Sequence, residues 1–269
     1  MNAVDPHTPP LLSVGSGIVR VIKNEIELKN WQKAAVQHPD WLQLLPADPY
    51  HGDALAAVRI KRAGVVDCPR YLCGLWDYLS SNFEKNTKNI SWRKECITFA
   101  DVDRLSHEFD AVLLSCGAAL PRLHDTDGQS LLNVKLVRGQ NLLLQPQSPQ
   151  QKQQKDALLC GEYLVPKTIR RLDNSALWNA FEDGQYLLGG ATHEYISHYD
   201  PQLHDLPDLA VAQQMLRSRL AVFCPSVAEM SVVTANAAVR LVTPRNKFGK
   251  VEVFWVFFVP SLFIRVLFT

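Results

Sequence analysis

The residues best suited to chemistry are few and lie far apart in the chain. Arg138, Gly139 and Gln140 stand together between Val137 and the run Asn141 to Leu144. A guanidinium and an amide are thereby set on one extended segment, around a glycine that lets the backbone come close to a ligand. Upstream, Asp110 to Ser115 reads as a short buried strand. It ends in Ser115-Cys116-Gly117, where backbone N–H groups can approach a ligand with no Cβ in the way. Gly15-Ser16-Gly17 is a second small-residue turn. Arg240 sits between Val239 and Leu241. An arginine fork meets both oxygens of a carboxylate at once, and a buried arginine is costly without an anion. His193, Glu194 and His198 carry metal-ligating atoms, but their spacing fits no helical or hairpin ligand pattern. Asp101 and Asp103 fall in a polar turn and read as surface charges. No Ser/His/Asp or Cys/His nucleophile follows from sequence order.

These residues need a frame. The turn at Gly15 to Gly17 leads into the β-branched run ending at Val21, and Asn24 to Ala35 leans helical before Pro39. Asp53 to Val66 is a strand or short helix. A helix is expected over 69–83, with Pro69 in its first turn and Leu72, Leu75, Trp76 and Leu79 on one face. Cys96 to Phe99 is a further strand candidate. Cys160 to Pro166 and Gln185 to Ala191 read as paired strands. The strongest helix is Pro207 to Phe223, where Leu209, Ala212, Met215, Leu216, Leu220 and Phe223 recur at helical spacing until Pro225. Val232 to Thr243 is strand-like. Residues 146–155 are rich in Pro and Gln and read as a floppy surface hairpin tip. The mixture argues for an α/β or α+β fold.

Composition narrows the function classes. The 269 residues are 47% apolar and 20% charged, with a formal net charge of +1. The basic residues are scattered, which argues against a nucleic-acid partner. The six cysteines show no Cys-x-x-Cys, no zinc spacing and no disulfide framework, and read as reduced, mostly buried thiols. Residues 1–12 hold three prolines and read as a disordered lead-in rather than a signal or transit peptide.

Taken in order, four segments resemble the D-amino acid oxidase-like family of FAD-dependent oxidoreductases. Gly15-Ser16-Gly17 resembles the small-residue turn beside the flavin. Phe109 to Ala118 resembles the strand that returns to the nucleotide-binding sheet and passes a glycine close to the cofactor. Arg138-Gly139-Gln140, with Glu162 to Pro166 and Tyr186 to Glu194, resembles the substrate-domain strands. Ala237 to Pro244 resembles the motif Gly-x-Arg-Pro-x-Thr-Pro-Asp, with Ala238 for Gly, Leu241 for Pro and Arg245 for Asp.

The resemblance implies an α/β fold in which part of a FAD-binding Rossmann-like sheet accompanies an antiparallel-sheet substrate domain. It implies FAD as cofactor, contacted by Ser16, Gly17, Ser115, Cys116, Gly117, Arg138, Gly139 and Gln140. It also implies that Arg240 clamps a substrate carboxylate. The reaction would be hydride transfer to flavin from the carbon bearing an amine or hydroxyl.

The resemblance breaks at both ends. The family opens on a strand and a Gly-x-Gly-x-x-Gly turn that holds the pyrophosphate, and this sequence contains no such run. At the other end, residues 251–269 are dense in Phe and Val without amphipathic period. They read as an atypical apolar tail foreign to the fold. Pro260 and Arg265 weigh against a membrane anchor. The expectation is therefore residues 13–250 as an oxidoreductase domain lacking its first βαβ unit. Its partner would be a small amine or amino-acid-like molecule, in a soluble intracellular setting. The alternative is a non-catalytic fragment or binding protein that retains only the substrate domain. Nothing in the sequence sets the oligomeric state.

Overall fold

A computed structural model describes residues 12–13, 17–47, 52–66, 68–85, 95, 97–113, 117–118, 135–149, 151, 156–169, 184–242, 253–259 and 262–268. The chain begins with β1 (Leu12–Ser13), β2 (Ile18–Ile22), α1 (Glu25–Gln37), β3 (Leu42–Leu45), β4 (Ala56–Ile60) and β5 (Val65–Val66). Next come α2 (Cys68–Lys85), α3 (Phe99–Glu108), β6 (Val112–Leu113), β7 (Lys135–Gln145) and β8 (Ala157–Cys160). They are followed by β9 (Glu162–Ile169), β10 (Gly184–Gly190), β11 (Glu194–Ile196), α4 (Pro201–His204) and α5 (Leu209–Ala221). A 3-10 turn at Pro225–Glu229 precedes β12 (Ser231–Val242), β13 (Val253–Val259) and β14 (Leu262–Phe268).

The chain divides into two compact units. One holds residues 1–91, 141–191 and 208–235, and the other holds 92–140, 192–207 and 236–269. In the first unit, the second half of β7 pairs antiparallel with β10, β10 with β9, and β9 with β8. Strand β8 then pairs parallel with β2, and the sheet continues antiparallel through β4 to β3. The sheet is thus mixed, with its parallel pair at Ile18–Ala157 through Arg20–Leu159. Parallel neighbours need a crossover, and here the intervening chain from residue 23 to 156 supplies it.

The core of this unit follows from the patterning. Val19 and Val21 alternate inward on β2, and Leu142 and Leu144 do so on β7. Helix α5 brings Ala212, Leu216 and Leu220 onto the same cluster, with Phe223, Val227 and Met230 closing its end. The helix starts at Asp208, whose side chain accepts from the Val211 N–H at 3.0 Å. Leu209 and Met215, expected on the buried face, are exposed, so that face is narrower than the sequence pattern suggests. Truncating the fully buried Leu216 is expected to cost about 2–5 kcal/mol. A smaller cluster joins Ile22, Ala56 and Val58 to Leu28 and Trp31 of α1.

The helical segment Asn24 to Ala35 is α1, and the strand alternative for Asp53 to Val66 is met by β4 and β5, whereas Phe99, at the end of the strand candidate Cys96 to Phe99, instead opens α3. On α2 the apolar residues do share a face, yet Leu72, Leu75, Trp76 and Leu79 are all exposed. Their periodicity marked a helix correctly without marking a buried one.

In the second unit, β11 pairs antiparallel with the first half of β7, Glu194 opposite Arg138. Strand β6 pairs with β13, and β13 with β14, all antiparallel. The segment expected as an atypical tail therefore forms a hairpin whose first strand adds to β6. Among the described residues no helix is long and apolar enough to cross a membrane.

Candidate functional site

Arg138, Gly139 and Gln140 all lie on β7, at the point where β11 pairs with it. Arg138 is almost buried, its side chain 12% exposed. All three kinds of guanidinium nitrogen are engaged. Nε donates to the carbonyl of His204 at 3.0 Å, and Nη2 to that of Leu206 at 2.7 Å. Nη1 donates to the Glu194 carboxylate at 3.1 Å. Arg138 thereby fastens α4 and the turn after it to the strand pair. Gly139 is half-buried, and Gln140 is buried.

Beside Gln140, Thr192 is also buried. Its hydroxyl accepts from the Gln140 N–H at 2.8 Å, and its own N–H donates to the Gln140 carbonyl at 2.9 Å. This double contact fixes the backbone one residue before His193. The His193 ring is exposed and meets Tyr195 edge-on, with centroids 5.0 Å apart. The Lys135 ammonium stands over the Tyr195 ring at 5.6 Å.

Arg240 lies on β12 with its side chain exposed. Its Nη2 is 3.0 Å from Nδ1 of His193. Arginine carries donors only, so His193 accepts at Nδ1, and its ring proton is on Nε2. Among the described residues no carboxylate lies within ion-pair distance of Arg240. The nearby Glu194 is paired to Arg138 instead. The exposed face that carries Arg240, His193, Tyr195 and Lys135 therefore holds two cations, a neutral imidazole and a phenol, which suits a small anion.

Of the three glycines expected to contact the cofactor, the two with positive φ differ. Gly17 belongs to the first unit and Gly117 to the second. Gly17 has φ +95°, and a Cβ there would lie 2.3 Å from the carbonyl oxygen of Ile60. Its missing side chain is required by the close pairing of β2 with β4. Gly117 has φ +54° and, among the described residues, no atom within 4 Å of a Cβ position; it is exposed. Ser16, Ser115 and Cys116 lie outside the described residues. Among the described residues no cluster of His, Cys, Asp and Glu is arranged to hold a metal.

Thr192 and His193 stand in the run Tyr186 to Glu194 that resembles the substrate-domain strands, but the sequence assigns neither this role, and His193 otherwise figures only as a metal candidate. The contacts that define them cross 47 and 52 residues of chain. No local spacing encodes such contacts. The run Tyr186 to Glu194, which holds both, is the one signal that pointed near them.

Comparison with known proteins places this geometry. The fold is similar to that of glycine oxidase from Geobacillus kaustophilus, with TM-score 0.55 and 17% identity over 89% of this chain and 61% of that one. It is similar to FAD-bound L-alpha-glycerophosphate oxidase from Mycoplasma pneumoniae, with TM-score 0.53 and 15% identity over 84% and 61%. It is also similar to iminodiacetate oxidase from Chelativorans sp. BNC1, with TM-score 0.50 and 16% identity over 89% and 62%. At these identities the likeness is one of fold, and the chain spans about three-fifths of the length of each. No curated protein sequence matches it. The sequence model described as DAO, FAD dependent oxidoreductase, matches residues 7–257. With nearly the whole chain so matched, the protein belongs to the DAO family of FAD-dependent oxidoreductases, whose cofactor is FAD.

Proposed function

We propose that this chain supplies the substrate-binding frame of a FAD-dependent oxidoreductase that oxidises a small amine or amino-acid-like molecule. The observation that carries the reading is Arg240. It is an exposed guanidinium with a neutral hydrogen-bond partner and, among the described residues, no carboxylate within ion-pair distance. Such a cation offers its remaining N–H groups to the carboxylate of a substrate. Arg138 has a different part, since its fork is spent on Glu194 and two carbonyls. It holds the β7–β11 pair and α4 in place around that contact. Two of the three neighbours are named for substrates of this class, glycine and iminodiacetate being small amino acids, and the third for a glycerophosphate.

The described residues suit the family's cofactor at one point and not at another. Gly117 offers the open, left-handed backbone that a flavin could approach. A pyrophosphate needs free N–H groups at a helix N-terminus. At α1 the Asn24 side chain already accepts from Glu27, and Glu25 and Glu27 add negative charge to the first turn. At α3 Thr98 and Asp101 cap each other. The Thr98 hydroxyl and backbone N–H hold the Asp101 carboxyl below its ordinary pKa. Asp200 and Asp208 cap α4 and α5. At each of these four helix starts a side chain already takes a backbone N–H, and a nearby carboxylate disfavours a phosphate. Hydride acceptance belongs to the cofactor. These residues contribute the placing of the substrate's charged end.

The test joins the chain to the Gly-x-Gly-x-x-Gly βαβ segment of a glycine oxidase. The reading predicts a yellow flavin that glycine or a related amino acid bleaches without oxygen. A chimera that folds, binds flavin and is never reduced by any small amine would overturn it. The second reading, a binding protein without catalysis, draws on the four self-capped helix starts.

A further inference from the structure

We infer that His193 is a positioning residue for Arg240, keeping its guanidinium both oriented and unneutralised for a carboxylate. The inference rests on the reading of Arg240 given above and adds a residue that sequence spacing did not reveal.

An exposed arginine on a strand has many rotamers, and fixing one costs conformational entropy. His193 supplies a fixed acceptor, its Nδ1 standing 3.0 Å from Nη2 of Arg240. The acceptor is itself held through its backbone and through its ring. Thr192 is locked to Gln140 by two hydrogen bonds. The Tyr195 edge sets the plane of the imidazole. Lys135 over the Tyr195 ring holds that aromatic in turn. A carboxylate in the place of His193 would fix Arg240 equally well but cancel its charge. A neutral imidazole orients the fork and leaves the charge for a ligand. Glu194, the acidic residue next in sequence, is kept occupied by Arg138.

The test uses the 269-residue chain labelled with nitrogen-15 at histidine, with glycine as probe and glycinamide as the control lacking a carboxylate. Two-bond nitrogen–proton correlations should show His193 protonated at Nε2 and bare at Nδ1, and Arg240→Met should shift the Nδ1 resonance. Glycine should bind more tightly than glycinamide. His193→Phe should weaken glycine binding by about 10-fold, the equivalent of one hydrogen bond to a charged group. His193→Gln, whose side-chain oxygen can accept the same bond, should restore it, and His193→Glu should abolish it. A proton on Nδ1, or glycine bound equally by parent and His193→Phe, overturns the role of His193 alone. Glycine and glycinamide bound alike, with the tautomer as expected, overturn the carboxylate reading of Arg240 and this inference with it.

Discussion

Arg138 and His204 are 66 residues apart in the chain, yet Nε of the one donates to the carbonyl of the other at 3.0 Å. With the Leu206 carbonyl on Nη2, this makes Arg138 the fastening of α4 to β7. Arg138→Met should leave both carbonyls without that donor and cost about 2–3 kcal/mol. The Glu194 pair adds little, because Glu194 is more than half exposed. Chemical denaturation checks the figure. A change below about 0.5 kcal/mol, the usual size for a surface substitution, would mean that Arg138 is not a structural fastening.

Two of the left-handed glycines, Gly17 and Gly117, should respond differently to alanine. At Gly17 a Cβ would collide with the Ile60 carbonyl, so β2 and β4 must separate. At Gly117 the space is open, and the cost is only that of holding alanine at positive φ, about 1–2 kcal/mol. Gly17→Ala should therefore lower the melting temperature much further than Gly117→Ala. Equal losses would show that Gly117 is packed as tightly as Gly17.

Much of the fold was legible in the sequence, and the reason is periodicity. Ala212, Leu216 and Leu220 recur at helical spacing because α5 buries that face, and Val19 and Val21 alternate because β2 is half-covered. The same signal overreached at α2, where the Leu72 to Leu79 face is helical but exposed. Periodicity reports the element and not what lies against it. At the site, Arg240 and Arg138 were legible as arginines in apolar runs. Their roles were not, since each is set by a partner 47 or more residues away. Gly17 was read as a cofactor contact, and its contact to Ile60 is likewise non-local.

The cysteines should separate by reactivity. Burial pushes the thiols of Cys224 and Cys160 above the ordinary value, Cys224 being nearly inaccessible. Cys68 and Cys73 are exposed. A maleimide at neutral pH should label Cys68 and Cys73 first and Cys224 only on unfolding, as read by peptide mapping. The sign of the linkage follows. A thiol whose folded pKa is raised keeps its full stabilising share below the unfolded value of about 8.5, and loses it as pH rises through the folded value. Cys224→Ala should therefore flatten the fall of stability at alkaline pH. Labelling of Cys224 as fast as Cys68 would contradict its burial.

Self-capped helix starts bear on the cofactor directly. With a carboxylate at the start of each of α1, α3, α4 and α5 disfavouring a pyrophosphate, the 269-residue chain mixed with FAD should lose the yellow colour on gel filtration. Stoichiometric flavin carried through the column would mean that residues other than these helix starts bind it.

The central claim is that Arg240 receives the carboxylate of the substrate. In the flavin-binding chimera, the measurement is the glycine concentration that half-saturates anaerobic flavin reduction, compared between the parent and Arg240→Met. The account predicts that Arg240→Met weakens apparent affinity by about 1.5–3 kcal/mol, the size of a hydrogen bond to a charged group. An unchanged half-saturating concentration would contradict it and return Arg240 to the structure of β12.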